Sequence, residues 1–265
     1  MEIPRSQPAP HSRHSLAAEL TALGVRPGDV LLVHSSLSSL GWVCGGPVAV
    51  VQALRDAVGD GGTLVVPTMT MNNSDPMLWS RPPVPESWWP VIRDTMPVWD
   101  PAVTPGVGLG VIAETVRTWP GSVRSDHPHT SFAALGSAAA DLMAVHDLDC
   151  QLGERSPLAA MERAGARILF LGTGFETCTA FHLAEYRVPN PEITNHGTAL
   201  RTPTGREWTT YPDVRTSSDD FGVLGATYEQ TEKITKGRVG QATCRLFPLA
   251  EAVAFATNWL PKYRT

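Results

Sequence analysis

The chain has 265 residues, 42% of them hydrophobic and 18% charged, with a formal net charge of −5. That is enough for one large core, and no apolar run approaches the length of a bilayer span. The acidic balance argues against nucleic acid as a partner and suits a cationic ligand. No low-complexity linker divides the chain, so a single domain over 1–265 is expected, with 1–11 flexible. Met1–His11 is polar and Pro-rich without the apolar segment of a secretion signal, which implies a cytoplasmic location. The four cysteines (Cys44, Cys150, Cys178, Cys244) lack CxxC spacing, which fits reduced thiols rather than a zinc site.

In chain order, Leu16, Leu20 and Leu23 recur at helical spacing between Ser12 and Gly24. Val30–Val33 is a short apolar strand that runs into His34-Ser35-Ser36-Leu37, where hydroxyls and backbone amides can approach a polar ligand; a plain Ser-rich loop is the competing reading. A helix over Val48–Val58 and a strand over Thr63–Pro67 complete a strand–helix–strand unit, the pattern of an α/β protein. From Thr68 to Pro105 periodicity disappears while Trp79, Trp88, Trp89 and Trp99 gather among prolines. This segment reads as an ordered substrate-side loop with Asp75, Glu86 and Asp100 as candidate carboxylates, or else as a cover over the core.

A Gly-rich start leads into a helix over Gly106–Trp119; its GxGxxA pattern follows no strand, so a dinucleotide role is not inferred. Arg124, His127, His129, Thr130 and Ser131 precede an apolar strand and form a candidate phosphate or pantetheine contact. Turn capping is the competing reading for the two histidines, and no third ligand at a recognisable spacing supports a metal. Helices follow over Ala138–Asp147 and Ser156–Ala164. A β-hairpin is expected over Ile193–Tyr211, turning at Pro203-Thr204-Gly205. Asp219-Asp220 heads a helix to about Ile234, and a last strand (Val239–Phe247) and a closing helix (Leu249–Leu260) end the chain.

The stretch most suggestive of chemistry follows the strand Ile168–Leu171 and the turn Gly172-Thr173-Gly174. There His182 and Glu185 stand three apart on one helix face, so a carboxylate can hold one imidazole nitrogen while the other faces a substrate. The bland alternative is a surface histidine in a local ion pair. Cys178, one helical turn earlier, offers a rival thiolate nucleophile; a serine hydrolase is disfavoured by the absence of GxSxG.

Together, LLVHSSLSSLGWVCGG, GGTLVVPT, DPAVTPGVGLGVIAETVRTWPGSVRSDHPHTSFAALG, GERSPLAAMERAGARILFLGTG, TAFHLAE and GRVGQATCRLFPLAEAV resemble, in order, the aminoglycoside 3-N-acetyltransferase family, which is distinct from the common acetyl-CoA acetyltransferase superfamily. The resemblance implies an α/β fold with a mixed central sheet flanked by helices. It also implies acetyl-CoA as co-substrate with no metal, an aminoglycoside amine as acceptor, and antibiotic resistance as the outcome. His182 and Glu185 match the family's catalytic HxxE pair, while His34, Ser35, Ser36 and Leu37, with Arg124, His129, Thr130 and Ser131, match segments lining the coenzyme site. His34 is a further catalytic candidate, as oxyanion donor. A polycationic sugar needs carboxylates, for which Asp75, Asp100, Asp219 and Asp220 are the candidates, with Tyr186 flanking the base. The expected partner is this small molecule, with no nucleic acid and no membrane, and a monomer or homodimer. An acetyltransferase for another amine, or a non-catalytic binder of coenzyme A or cationic sugars, would also fit.

Overall fold

Uninterrupted apolar runs form strands that must be covered on both faces, and the molecule is layered accordingly. The structure, a computed structural model, describes residues 7, 9–80, 82–231 and 233–264. Helix α1 (Arg13–Leu23) is opened by a reciprocal cap between Ser12 and Ser15 and closed at Gly24, whose φ of 107° is left-handed. Strand β1 (Val30–Ser35), helix α2 (Gly46–Val58) and strand β2 (Thr63–Pro67) follow, and β1 and β2 pair in parallel. The expectation of a flexible start falls partly on residues 1–6 and 8, which lie outside the described residues. Within the remainder, Gln7 exchanges hydrogen bonds with the Trp42 backbone and His11 bridges to Val43.

The aperiodic segment 68–105 is ordered by short turns and helix α3 (Trp89–Thr95), and Trp99 is buried beneath it. Helix α4 (Gly110–Arg117) starts later than the sequence suggests because Gly108 and Gly110 hold positive φ. Then come β3 (Val123–Arg124), β4 (Phe132–Gly136), α5 (Ala139–Met143), α6 (Pro157–Arg163) and β5 (Arg167–Leu171). Helix α5 is shorter than the Ala138–Asp147 expectation. The chain leaves it to turn His146 inward, where the ring bonds Ser125 and the Gln151 carbonyl.

Helix α7 (Phe181–Glu185) is a single short turn, and β6 (Ile193–Thr202) and β7 (Gly205–Val214) form the expected hairpin as a separate two-stranded sheet. Helix α8 (Phe221–Tyr228) stops well before Ile234, because residues 235–239 are needed as strand β8 (Thr235–Val239). This strand hairpins through Gly240 onto β9 (Ala242–Pro248), ahead of α9 (Leu249–Tyr263). The central sheet has the order β3-β4-β2-β1-β5-β9-β8, parallel at β2-β1-β5 and antiparallel elsewhere. Successive side chains alternate between its faces. Leu31, Val33, Leu64, Val66 and Leu169 pack under α1, α2 and α4, while Leu32, Val65, Ile168 and Phe170 pack under α5–α9. The carboxyl ends of the parallel trio therefore meet at one edge, which is where open α/β sheets place ligands.

Candidate active site

Three chain segments converge on that edge. Strand β1 ends in His34 and Ser35, β5 ends at Leu171 and turns at Gly172, and α4 begins against them. Gly172 has φ +77°, and a Cβ there would lie 2.5 Å from the Ser39 Cβ, so only glycine lets the two loops meet. The contact is closed by Ser39, whose hydroxyl donates to the Gly172 carbonyl and lies 2.9 Å from the Ser36 hydroxyl. Between the segments lies a cavity of about 390 Å³ lined by His34, Ser35, Ser36, Leu37, Ser38, Gly108, Leu109, Gly110, Thr173 and Thr177, among others. Apolar walls with serine hydroxyls and helix-start amides suit a chain that is part apolar and part phosphorylated.

Beside it, His182 and Glu185 form the expected pair: Nδ1 of His182 lies 2.6 Å from Oε2 of Glu185. Glu185 is 3% exposed and His182 15% exposed at its side chain. A buried carboxylate requires partners. The second oxygen of Glu185 accepts from the Ser217 amide at 2.9 Å and from Arg264. Because Nδ1 donates to this carboxylate, Nε2 is left as the proton acceptor. Phe221 lies on the imidazole with centroids 4.7 Å apart. His34 is 5% exposed, and its Nε2 has no hydrogen-bond partner among the described residues. Burial first, and then the neighbouring His182, push its pKa down to about 3, so at neutral pH it is an uncharged ring. Cys178 is fully buried and its thiol is pushed up to about 12 by burial, which works against a thiolate at this position.

The other expected coenzyme residues are elsewhere engaged. Arg124 donates to the Ser131 hydroxyl, to Thr68, and to the Pro101 and Thr104 carbonyls, and it lies 5.2 Å over the Trp99 ring. It clamps the 68–105 segment to the sheet rather than offering a free fork to phosphate. Ser131 serves the same clamp, donating to the Thr68 carbonyl. His129 and Thr130 belong to a sealed cluster. Nδ1 of His127 accepts from the amides of both His129 and Thr130, and the Tyr211 hydroxyl bonds Nδ1 of His129 at 2.8 Å. His127, His129 and Thr130 point at backbone and hydroxyl partners, in keeping with the turn-capping reading.

The expected acceptor residues are not gathered either. Asp75 is held by both Nε and Nη2 of Arg93 and caps Met77; Asp100 caps its own turn at Ala102; Asp220 is gripped by Arg264. Tyr186 donates its hydroxyl to Asp213 at 2.9 Å and accepts from the Leu152 amide. Asp219 alone of the set is exposed. What the sequence did not point to is the α4 start, Thr173, Thr177, Ser217 and Arg264. The first had a signal in its GxGxxA pattern, which lost weight because no strand precedes it; the contact of Arg264 spans 79 residues and leaves no local trace.

A family model described as aminoglycoside 3-N-acetyltransferase matches residues 32–261. The chain is 42% identical over 259 residues to an SPbeta prophage-derived aminoglycoside N(3')-acetyltransferase-like protein of Bacillus subtilis strain 168, covering 97% of this chain and 95% of that protein. It is 34% identical to aminoglycoside N(3)-acetyltransferase VII of Streptomyces paromomycinus over 95% of this chain and 92% of that one. Among solved structures, that of the Bacillus protein superposes with a TM-score of 0.95 at 42% identity, covering 97% of this chain and 96% of that one. An AAC-IIIb enzyme in binary complex with CoASH superposes with 0.85 at 33% identity, covering 96% and 97%. AAC-VIa bound to sisomicin gives 0.85 at 31%, covering 95% and 98%.

Proposed function

Because the chain belongs to the aminoglycoside 3-N-acetyltransferase family, we propose that it transfers the acetyl group of acetyl-CoA directly to the 3-amino group of an aminoglycoside, a reaction that confers antibiotic resistance. The observation that carries this reading is the His182–Glu185 contact of 2.6 Å beside the cavity at the β1 and β5 ends. Acetyl-CoA is a substrate here, and the cavity's Ser36 and Ser38 hydroxyls and the Gly108–Gly110 turn are suited to its phosphorylated end, the apolar Leu37 and Leu109 to its pantetheine.

An amine at neutral pH is mostly ammonium and has no lone pair to use. Nε2 of His182 takes one proton from it, and Glu185 stabilises the imidazolium so formed. The nitrogen then attacks the thioester carbonyl carbon, and collapse of the adduct breaks the carbon–sulfur bond. The nitrogen's second proton ends on the departing thiolate, leaving a neutral amide and free coenzyme A thiol, and His182 returns its proton to solvent. His34 supports the adduct: its unpartnered Nε2, in a ring that burial keeps neutral, is a donor held ready for the oxyanion.

A second reading, an acceptor amine with fewer positive charges, is favoured by one observation. Asp75 and Asp220 are already paired with arginines, and Asp100 is spent on its own turn, so few free carboxylates face a polycation. The test is thiol release from acetyl-CoA against a panel of aminoglycosides and of monoamines, for the native protein, His182→Ala and Cys178→Ala. Release that needs an aminoglycoside and is lost only without His182 supports the first reading; release with monoamines alone supports the second. Loss in the cysteine variant would establish an acetyl-enzyme, and no release with any amine would leave a coenzyme A binder.

A further inference from the structure

We propose that Arg264 is a positioning residue that tunes the proton affinity of the His182–Glu185 pair from behind, an inference that rests on reading His182 as the base. Arg264 follows α9 and is brought to α7 and to the head of α8. One guanidinium nitrogen, Nη1, binds Glu185 Oε1, the oxygen His182 does not use. Nε and Nη2 grip Asp220, with Nε 2.7 Å from Oδ2, and Nη2 also donates to the Ser217 carbonyl at 2.8 Å. The guanidinium further lies 5.8 Å over Phe221, the ring that packs on His182. The result is a row of alternating groups, imidazole, carboxylate, guanidinium, carboxylate.

The row has a chemical use. A buried carboxylate with no other ionic partner would hold an imidazolium so firmly that the proton could not be passed on. A cation on its far oxygen draws charge from that carboxylate and weakens its hold, and Asp220 in turn moderates the cation. Among the described residues, the charged or titratable groups facing the pair are Arg264 from beyond α9, Asp220 from the head of α8 and His34 from β1, the last kept neutral, while Glu192 and Arg215, paired with each other at 2.9 Å, line the cavity shared by Glu185 and Arg264. Burial works against the charge on Arg264, but hydrogen bonds to Asp220 and Glu185 outweigh it and raise its pKa above the ordinary value, so the cation is permanent.

Opposite charges in the row give opposite signs, which a mere brace does not. With histidine labelled by carbon-13 and nitrogen-15, the His182 ring signal is identified by its loss in His182→Gln and titrated without any substrate. Arg264→Gln is expected to move its midpoint to higher pH by about one pH unit, and Asp220→Asn to lower pH by a smaller amount. Arg264→Lys should return it close to native. Movement in the same direction for both variants, or no movement while the melting temperature falls, overturns the proposal; if Arg264→Gln does not fold, Asp220→Asn and Arg264→Lys carry the test alone. The acid limb of kcat/KM should then follow the ring in each variant. If the ring midpoints separate and the rate limb stays fixed, His182 is not the base, while the tuning by Arg264 stands.

Discussion

His182 and His127 are both imidazoles hydrogen-bonded to neighbours, yet the two surroundings ask opposite things of a proton. At His182 one nitrogen faces a carboxylate and the other has no hydrogen-bond partner among the described residues, so an added proton meets a charge that welcomes it. In the cluster every ring nitrogen of His127, His129 and His146 is spent. Nδ1 of His127 accepts from two backbone amides while Nε2 donates to the Leu148 carbonyl; the His146 ring is bonded by Ser125 and Gln151, and that of His129 by Tyr211 and Asn73. An added proton on Nδ1 of His127 meets two amide N–H groups, and those on His129 and His146 meet hydroxyls rather than a carboxylate. Burial and the neighbouring rings accordingly hold His127 well below its ordinary pKa, and burial brings His129 and His146 to about 4. A histidine-rich segment is thus no sign of chemistry by itself: what distinguishes the reactive site is an anionic partner together with an unspent nitrogen.

The largest expected difference between the two sites lies in turnover. His182→Ala should lower kcat about 10³-fold, within the range for losing a general base, and leave acetyl-CoA affinity by calorimetry within about threefold of native. A loss of coenzyme affinity as large as the loss of rate would mean that the site is not divided as described. Next in size is stability. His127→Ala removes the acceptor for two buried amides and should cost about 3–5 kcal/mol, lowering the melting temperature by roughly 10 °C with little change in kcat of the folded fraction. A thermal scan beside an activity assay separates these effects, and an unchanged melting temperature would show that the cluster does not hold the hairpin and the 125–130 turn together.

The contrast also predicts an acid sensitivity. Above about pH 6.5 the cluster histidines are neutral folded or unfolded, and their contribution is whole. Between that pH and about 4 the unfolded chain takes up protons that folded His129 and His146 refuse, so stability falls with pH at up to about 1.4 kcal/mol per unit for each ring. Denaturant melts at pH 7 and pH 5 should show this loss, and replacing Tyr211 and His129 together by phenylalanine should shrink it. A stability that is flat over the window would mean that these rings titrate normally.

How far the sequence foretold this depended on the range of the interaction. The parallel strands were legible because Val30–Val33, Thr63–Pro67 and Ile168–Leu171 are unbroken apolar runs, and the HxxE pair was legible because its two members lie on one turn. Strand β8 was not, since Thr235-Lys236-Gly237-Arg238 has no alternation and becomes a strand only by pairing with β9. The roles of Arg124 and Asp75 were hidden for a related reason. Residue type made each a good ligand for phosphate or ammonium, but their partners, Thr68 and Pro101 for one and Arg93 for the other, come from distant points in the chain.

The smallest prediction bears on the acceptor. Among Asp75, Asp100, Asp219 and Asp220, Asp219 is the exposed one, with its amide bonded to Ser217, whose own amide serves Glu185. An exposed charge of this kind contributes little to folding, so Asp219→Asn should leave the melting temperature nearly unchanged. Toward a polycationic aminoglycoside its KM should rise about two- to fivefold, and the rise should fade as salt is added, whereas a monoamine should show almost none. Unequal effects on the two acceptors mark Asp219 as part of the amine wall and favour the aminoglycoside. Equal, negligible effects leave the mouth of the site without a working carboxylate at this position, and the acceptor with fewer charges then becomes the better reading.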